Sequence, residues 1–422
     1  MTGLAAARVL GPLWPQLLPA ERQFVALPSR HRPVIVADRD PQVLRYVRTA
    51  LLATPPGSSL PTWAYSLAGQ ALRVPGTSRL LPRHHRQLDV AETDLQDIAA
   101  LVRTHDNRLV VLQHSHDPDA RCVLLLFEPG SAVPDRVVKL AAGAAAADRM
   151  EREARALELL QGLSDRQLGA QVPRLLALRP HHERPALMTT ALPGVPMLVR
   201  YHRSGHTADR GAVTRDFQRA AGWLARLHAA TARESRPLDL APATLEAVES
   251  ASTSPAASGF DLVEEAAALQ VRLRRRRAPA ALVHGDFWPG NLLTDGAQIT
   301  GVVDWERSVG SGSPLRDHAR FALCYSQYLD RHTAPGRRVR GHRGLVAGAP
   351  GGGVGYALDG NGWYPDLVRG FLRSVLARLH LPPECGRDGV LAEILAVAAE
   401  ATEPTFAASQ LALFQMLSED LR

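Results

Sequence analysis

The sequence has few cysteines and no long apolar run. Its three cysteines, Cys122, Cys324 and Cys385, are widely separated, so they predict neither a disulfide framework nor a zinc site and indicate a reducing compartment. Prolines at positions 12, 15 and 19 interrupt the N-terminal region, so we predict no signal peptide. The apolar run at 123–127 is only as long as a strand. These absences predict a cytoplasmic protein with no membrane partner.

Lysine is also scarce. The chain has 49 basic and 42 acidic residues and a net charge of +7, yet its only lysine is Lys139. Arginines are scattered among acids except for one cluster at 272–277. We interpret this cluster as a solvated helix end, where the helix dipole favours cations; contact with a nucleic acid or an acidic partner is the alternative. The charge alone requires no nucleic-acid partner, and 422 residues are enough for two or three domains.

The most informative stretch begins where an apolar run ends at Val283. Gly285 permits a tight reversal, so His284 and Asp286 are predicted to project from an ordered loop and not from a helix. Pro289 and Gly290 turn the chain again. The loop therefore presents polar side chains at the end of a buried strand.

A predicted hairpin follows this loop. Asn291 opens a second strand, and Asp295 and Gly296 form a turn into a strand at 299–303, which ends at Asp304. Asp286, Asn291 and Asp304 are thus expected to lie close together.

Two carboxylates and one amide oxygen suit Mg²⁺, which prefers oxygen ligands and keeps positions open for substrate phosphates. Phosphoryl transfer uses such a set, because one carboxylate orients the acceptor hydroxyl while the metal neutralises phosphate charge. The alternative is that Asp286 and Asn291 are only turn residues of a hairpin.

A second candidate group lies upstream. Lys139 falls in a predicted strand at 136–140, after strands at 109–113 and 121–127. A chain that otherwise uses arginine is expected to need a compact ammonium there, as in phosphate binding; chance is the alternative.

Glu153 lies on the apolar stripe of a predicted helix at 144–160, together with Met150 and Leu157. A buried carboxylate needs a partner, and Lys139 is the candidate. The alternative is a partly exposed glutamate at a helix edge.

The series His284-Gly285-Asp286, four residues, Asn291 and then Asp304 resembles the catalytic loop of aminoglycoside phosphotransferase and choline kinase-like enzymes, distant relatives of protein kinases. The resemblance implies an α+β, bilobal protein kinase-like fold with an antiparallel-sheet N-lobe and a mostly helical C-lobe. It implies that Asp286 is the catalytic base, that His284 supports the loop, and that Asn291 and Asp304 bind Mg²⁺.

The resemblance further implies a nucleotide, ATP or GTP, bound between the lobes. Lys139 would contact its phosphates and pair with Glu153. Thr190, the last residue of a predicted strand at 186–190, and Ala191 and Leu192, which follow it, would contact the base through their backbone.

Three further residues receive roles. Ser115 lies in the loop 114–120, which corresponds to the phosphate-covering loop of the family but has no glycine, and we assign it to nucleotide binding. Asp317 is assigned to support the catalytic loop, with a helix N-cap as the competing interpretation. His228 is interpreted as a core histidine.

The predicted domains are an N-terminal α/β extension of unknown role at 1–95, an N-lobe at 96–190 and a C-lobe at 191–422. The extension includes a strand near 34–36 and a helix that starts at Asp40 and Pro41. The C-lobe contains a glycine-rich excursion at 331–362, for which we favour surface disorder over a substrate lid.

We therefore predict a small-molecule kinase that moves the γ-phosphate of ATP to a hydroxyl of a sugar, an aminoglycoside or a related metabolite. The C-terminal helices contain no dense acidic cluster, which favours a neutral or less cationic acceptor. The alternative is a nucleotide-binding regulatory protein with little turnover, and the glycine-free loop favours it.

Overall fold

The computed structural model describes residues 18, 22–27, 33–52, 83–84, 107–112, 121–141, 143–181, 184–203, 205–252 and 261–419. The loop 114–120 lies outside these residues. The described chain has an antiparallel sheet in its N-terminal part and a mostly helical C-terminal part.

One eight-stranded antiparallel sheet forms the N-lobe. Its strands are β1 (Phe24–Leu27), β2 (Ile35–Asp38), β3 (Arg83–His84), β4 (Arg108–Leu112), β5 (Arg121–Phe127), β6 (Arg136–Ala141), β7 (Leu175–His181) and β8 (Arg184–Thr190). Their order is β3-β1-β2-β4-β5-β6-β8-β7. Strand β2 pairs with β4, with Ile35 opposite Leu112. The described strands of the N-terminal extension therefore continue the N-lobe sheet instead of forming a separate unit.

Side chains alternate between the two faces of this sheet, as expected for β-strands. One face buries Phe24, Leu109 and Leu124 in a common apolar cluster. The other face carries Lys139, which lies opposite Val123 in the register of β5 and β6. Helices cover this second face.

Two helices pack on the Lys139 face. Helix α1 (Pro41–Tyr46) continues into a π-helical turn, Val47–Leu51. Its start is confirmed, because the Asp40 carboxylate accepts hydrogen bonds from the backbone amides of Gln42 (2.8 Å) and Val43 (3.2 Å). Helix α2 (Ala144–Gln161) confirms the predicted helix and buries Glu153, which is 1% exposed.

The C-lobe consists mainly of helices. Helix α3 (Arg166–Ala170) precedes β7 in the sequence but buries Leu168 in the core of this lobe. The helices that follow β8 are α4 (Met197–Tyr201), α5 (Arg210–Ala230), α6 (Pro242–Ser252), α7 (Leu262–Arg274), α8 (Leu315–Gln327), α9 (Gly352–Asp359), α10 (Trp363–Arg378), α11 (Cys385–Glu400) and α12 (Pro404–Glu419). Trp223, Phe287 and Trp305 are fully buried in the core of this lobe. None of the helices within the described ranges combines the length and apolar character needed to cross a bilayer.

Short strands in the C-lobe hold the candidate site. They are β9 (Val195–Pro196), β10 (Ser235–Pro237), β11 (Arg277–Pro279), β12 (Ala281–Val283), β13 (Leu292–Thr294), β14 (Ile299–Val302) and β15 (Val309–Gly312). The predicted hairpin is confirmed, since β13 pairs with β14 and the Asp295 carboxylate accepts from the amides of Ala297 and Gln298. Strand β12 pairs with β15.

The excursion at 331–362 differs from the expectation of surface disorder. Val339, Leu345 and Ala347 are at most 5% exposed and belong to the C-lobe core. Helix α9 also forms within this segment. The glycines suggested disorder from composition alone, whereas the apolar residues between them anchor the segment.

If strand β1 is integral to the N-lobe, Phe24→Ala should destabilise the protein. Phe24 is fully buried, and truncation of a core phenylalanine costs about 3–5 kcal/mol. Urea unfolding measures the change, with Phe406→Ala as the control because Phe406 is 40% exposed. Equal free energies of unfolding for the two variants would contradict this packing.

Candidate active site

The loop after β12 has a fixed backbone. Gly285 has a φ of 79°, and a Cβ there would collide with the carbonyl oxygen of Arg307, so the loop requires glycine. The amides of His284 and Gly285 donate to the two carboxylate oxygens of Asp317, at 2.8 and 2.9 Å. Asp317 thus holds the loop from helix α8. The competing N-cap interpretation is wrong, because Pro314 occupies the N-cap position.

His284 is fully buried beneath this loop. Its Nε2 lies 3.0 Å from the carbonyl oxygen of Val303, and its Nδ1 lies 3.2 Å from the amide nitrogen of Asp286. Its ring also packs against Trp305, with centroids 4.5 Å apart. These contacts link the loop to the end of β14, which suits a supporting residue.

Asp286 is held from both sides. Asn291 donates from Nδ2 to the Asp286 carboxylate (3.0 Å) and to its carbonyl oxygen (2.9 Å). Arg320 donates from Nε to the other carboxylate oxygen, at 3.1 Å. The contact between Asn291 and Asp286 agrees with the predicted proximity of these two residues, whereas the contact of Arg320 with Asp286 was not predicted. Its only signal was its spacing on α8, three residues after Asp317.

The predicted ion pair between Lys139 and Glu153 is present. The Lys139 Nζ lies 2.7 and 2.6 Å from the two carboxylate oxygens of Glu153. It also lies 3.1 Å from Asp304. The lone lysine therefore joins the N-lobe to the end of the catalytic hairpin.

Arg121 is a second cation in this cluster and was not predicted. Its Nη2 donates to Asp304 at 2.6 Å, and its Nη1 pairs with Glu306. Arg121 begins β5, two residues before Val123, so it shares the sheet face of Lys139. The pairing register of β5 and β6 places Arg121 on the face of Lys139. The sequence alone does not distinguish Arg121 from the many other arginines.

Asp304 combines an unusual backbone with strong charge pairing. Its φ is 73°, a conformation that is uncommon outside glycine and concentrates at functional sites. Burial opposes its ionisation, but the charges of Arg121 and Lys139 outweigh burial and hold the pKa of Asp304 below its usual range. The carboxylate is therefore ionised at neutral pH.

The donor set fits one Mg²⁺. Asn291 uses its Nδ2 end for Asp286, so its Oδ1 end can face a cation, and the Asp304 carboxylate is ionised. Within the described residues no group of three or more His, Cys, Asp and Glu forms a complete metal site. Mg²⁺ often takes only one or two protein ligands plus substrate phosphates, and Asn291 and Asp304 offer one amide oxygen and one carboxylate.

Two of the three residues predicted to contact the nucleobase through their backbone already use their amides within the protein. The Thr190 amide donates to the carbonyl oxygen of Arg174 (2.9 Å), and the Ala191 amide donates to that of Asp135 (2.8 Å). Leu192 lies half-buried, close to Gly301 on β14. Among the described residues, no backbone hydrogen bond is found for the Leu192 amide. Ser115 lies outside the described residues.

A cavity of about 370 Å³ lies in the C-lobe beside the catalytic strand. Its wall includes Val283 of β12 and the acidic residues Glu393 and Glu400 of α11. Arg316 pairs with Glu393 at 3.2 Å and with Glu400 at 2.7 Å. Arg320 also lies 3.4 Å from Glu393, so a single guanidinium connects this wall to Asp286.

Burial raises the pKa of Glu393 to about 7, although the charges of Arg316 and Arg320 favour its ionised form. Burial also opposes ionisation of Asp317, but the imidazoles of His228 and His284 outweigh it and lower the pKa of Asp317. His228 lies 3.9 Å from Asp317.

Asp317→Asn should lower stability by about 1–3 kcal/mol, because an amide can accept only one of the two loop hydrogen bonds and turns a donor toward the other. Chemical unfolding measures the loss. Asp366→Asn is the matched control, since the Asp366 side chain is 70% exposed. Asp317 would not hold the loop if both variants unfold alike.

His318 predicts a pH dependence. Burial lowers its pKa from 6.5 to about 3, so between these values the unfolded chain binds a proton that the folded chain does not. The free energy of unfolding contributed by neutral, buried His318 is therefore fully present above pH 6.5, and it is lost as the pH falls toward 3. We expect His318→Gln to remove it, and His332→Gln, at an exposed position, to retain it. Unfolding series at several pH values measure the difference; identical slopes for the three proteins would refute the assignment.

Comparisons with known proteins agree with this geometry. The Phosphotransferase enzyme family (APH) matches residues 110–344, which is more than half of the chain. Comparison with curated proteins finds no significant match.

Several solved structures match the chain at low sequence identity. Aminoglycoside phosphotransferase APH(4)-Ia is 15% identical, over 76% of this chain and 96% of its own, with a TM-score of 0.46. APH(3'')-Id from Streptomyces rimosus is 16% identical over 72% and 98%, with a TM-score of 0.42. The streptomycin-ATP-APH(2")-IIa ternary complex is 15% identical over 78% and 98%, with a TM-score of 0.43. Since these scores are below 0.5, the assignment depends on the family match. The chain belongs to the phosphotransferase enzyme family, within the aminoglycoside phosphotransferase and choline kinase-like superfamily, and has its protein kinase-like fold.

Proposed function

We propose that this protein is a small-molecule kinase that transfers the γ-phosphate of ATP or GTP to a hydroxyl group. One observation carries the proposal: Lys139 and Glu153 from the N-lobe meet Asp304 from the C-lobe, next to the ordered Asp286 and Asn291 pair. Family membership supports the reaction class, and these contacts support the role proposed for each residue.

The nucleotide phosphates would bind at Lys139 and Arg121. Both cations are now paired with Asp304, so phosphate oxygens would replace that carboxylate as their partners. Glu153 keeps Lys139 in place, since its side chain is almost fully buried and contacts Nζ with both oxygens. Mg²⁺, held by Asn291 and Asp304, would neutralise the charge on the phosphate oxygens.

Asp286 would orient the acceptor hydroxyl and receive its proton. Asn291 and Arg320 fix the carboxylate from two directions, which reduces the freedom lost when the hydroxyl docks. Phosphoryl transfer depends mainly on such positioning and on charge stabilisation. Asp317 and His284 support this geometry by fixing the loop backbone.

The acceptor would bind in the cavity beside β12. Val283, three residues before Asp286, lines that cavity, and Arg320 connects its Glu393 to Asp286. Arginine pairs neutralise Glu393 and Glu400. A polycationic acceptor would therefore find few free carboxylates there, which favours a sugar or another neutral or weakly cationic alcohol.

Asp286→Asn should lower phosphate transfer about 10²- to 10⁴-fold, the usual contribution of a general base, and leave nucleotide affinity nearly unchanged. Labelled ATP with a panel of sugars, aminoglycosides and amino alcohols measures transfer, and calorimetry measures binding.

The matched control is Asp295→Asn, because Asp295 lies in the exposed turn of the neighbouring hairpin. If wild type and Asp286→Asn bind nucleotide and turn over equally, the enzymatic proposal fails and a regulatory nucleotide-binding protein is favoured.

A further inference from the structure

Helix α1 and its π-helical turn pack on the Lys139 face of the N-lobe sheet. Val43 and Val47 are fully buried there and form one apolar cluster with Leu112 of β4. Half-buried Val123 and Val137 pack against the same cluster. The N-terminal extension therefore covers part of the face on which the proposed nucleotide would bind.

The sheet register locates the nucleobase on this face. Val123 lies opposite Lys139, and Val137 precedes Lys139 by two residues on the same strand. A nucleotide with its phosphates at Lys139 and its base edge at Leu192 must lay the base against these two valines. Both are only half-buried in the structure, so apolar surface remains open to a planar ring.

The C-lobe supplies the surface that would face the other side of the nucleobase. Leu192 and Leu293 are also half-buried, and both lie within contact distance of the Cβ position of Gly301. Leu293 pairs with Pro196 of β9. The π-helical turn, Val47–Leu51, lies against β9. The helix and its π-helical turn thus extend from the N-lobe sheet to β9, which lies shortly after Leu192 in the sequence.

We propose that residues 43–51 form the outer wall of the nucleobase pocket and set the affinity for the base. This inference rests on the proposed function. The family match begins at residue 110, so this wall belongs to the chain's own extension.

Two observations indicate that residues 43–51 border the nucleobase pocket and do not fill it. The buried side chains Val43 and Val47 pack over β2 and β4, which are separated from the Lys139 strand by β5, and the valines nearest Lys139 stay partly open. A wall at the base also has a physical use here, because the loop 114–120 lacks the glycines that allow close backbone approach to phosphate. Contacts with the base would offset weaker contacts with the phosphates.

Leu51→Ala tests the wall. Leu51 is the last residue of the segment, is half-buried, and packs against the same apolar cluster as Val123 and Val137. Loss of its side chain should weaken ATP binding about tenfold, whereas binding of magnesium tripolyphosphate, which has no base, should not change. Leu51→Met should restore ATP affinity, and Thr49→Ala, on the exposed side of the same turn, should bind like wild type. Calorimetry measures the affinities, and thermal unfolding of the free proteins verifies that each variant is folded.

The outcomes separate this inference from the proposed function. If wild type binds no ATP, the nucleotide site itself is refuted. If wild type binds ATP and Leu51→Ala binds it equally well, the wall is refuted and the kinase proposal stands. Tighter binding by Leu51→Ala would show that the helix obstructs the pocket, which also overturns the inference. An equal loss for ATP and tripolyphosphate would indicate general disruption and refute a role at the base.

Discussion

The arrangement of the two lobes depends on one cluster of largely buried charges. Lys139 and Arg121 extend from the N-lobe sheet, and Asp304 at the end of the catalytic hairpin pairs with both. Glu153 completes the cluster from helix α2. An unpaired buried charge costs several kcal/mol, so these residues hold one another in place across the lobe interface. The same cations are the ones that phosphate groups would bind, which couples nucleotide binding to lobe contact.

The loop that carries Asp286 is held by a second set of contacts, which comes from the helical lobe. Asp317 fixes two successive amides of the loop, and Arg320, one helical turn later on α8, holds the Asp286 carboxylate. Helix α8 is thus both a core element and the support of the candidate base. Glu393 balances the charge of Arg320 and lines the neighbouring cavity. An acceptor bound in that cavity would therefore be connected to the Asp286 carboxylate through the single guanidinium of Arg320.

Local patterns in the sequence predicted the catalytic hairpin, the start of α1 and the extent of α2, because turn residues, caps and helical periodicity are encoded over a few positions. The lone Lys139 stood out chemically, and the apolar stripe around Glu153 identified its partner. Arg121 and Arg320 could not be found in this way, since their roles depend on strand register and on helix packing between distant segments. The glycines of 331–362 suggested disorder for the same reason: the burial of Val339 and Leu345 depends on tertiary contacts.

The central claim is that the charge cluster is a nucleotide-phosphate site and not only a structural tie between lobes. Calorimetric titration of magnesium ATP into wild type and into the double variant Lys139→Met with Glu153→Gln tests it most directly, because the double variant leaves no unpaired charge between these two positions. Wild type is expected to bind one nucleotide per chain, and the folded double variant is expected to show a large loss of affinity. Equal affinity in the two proteins, or no binding by wild type, would contradict it.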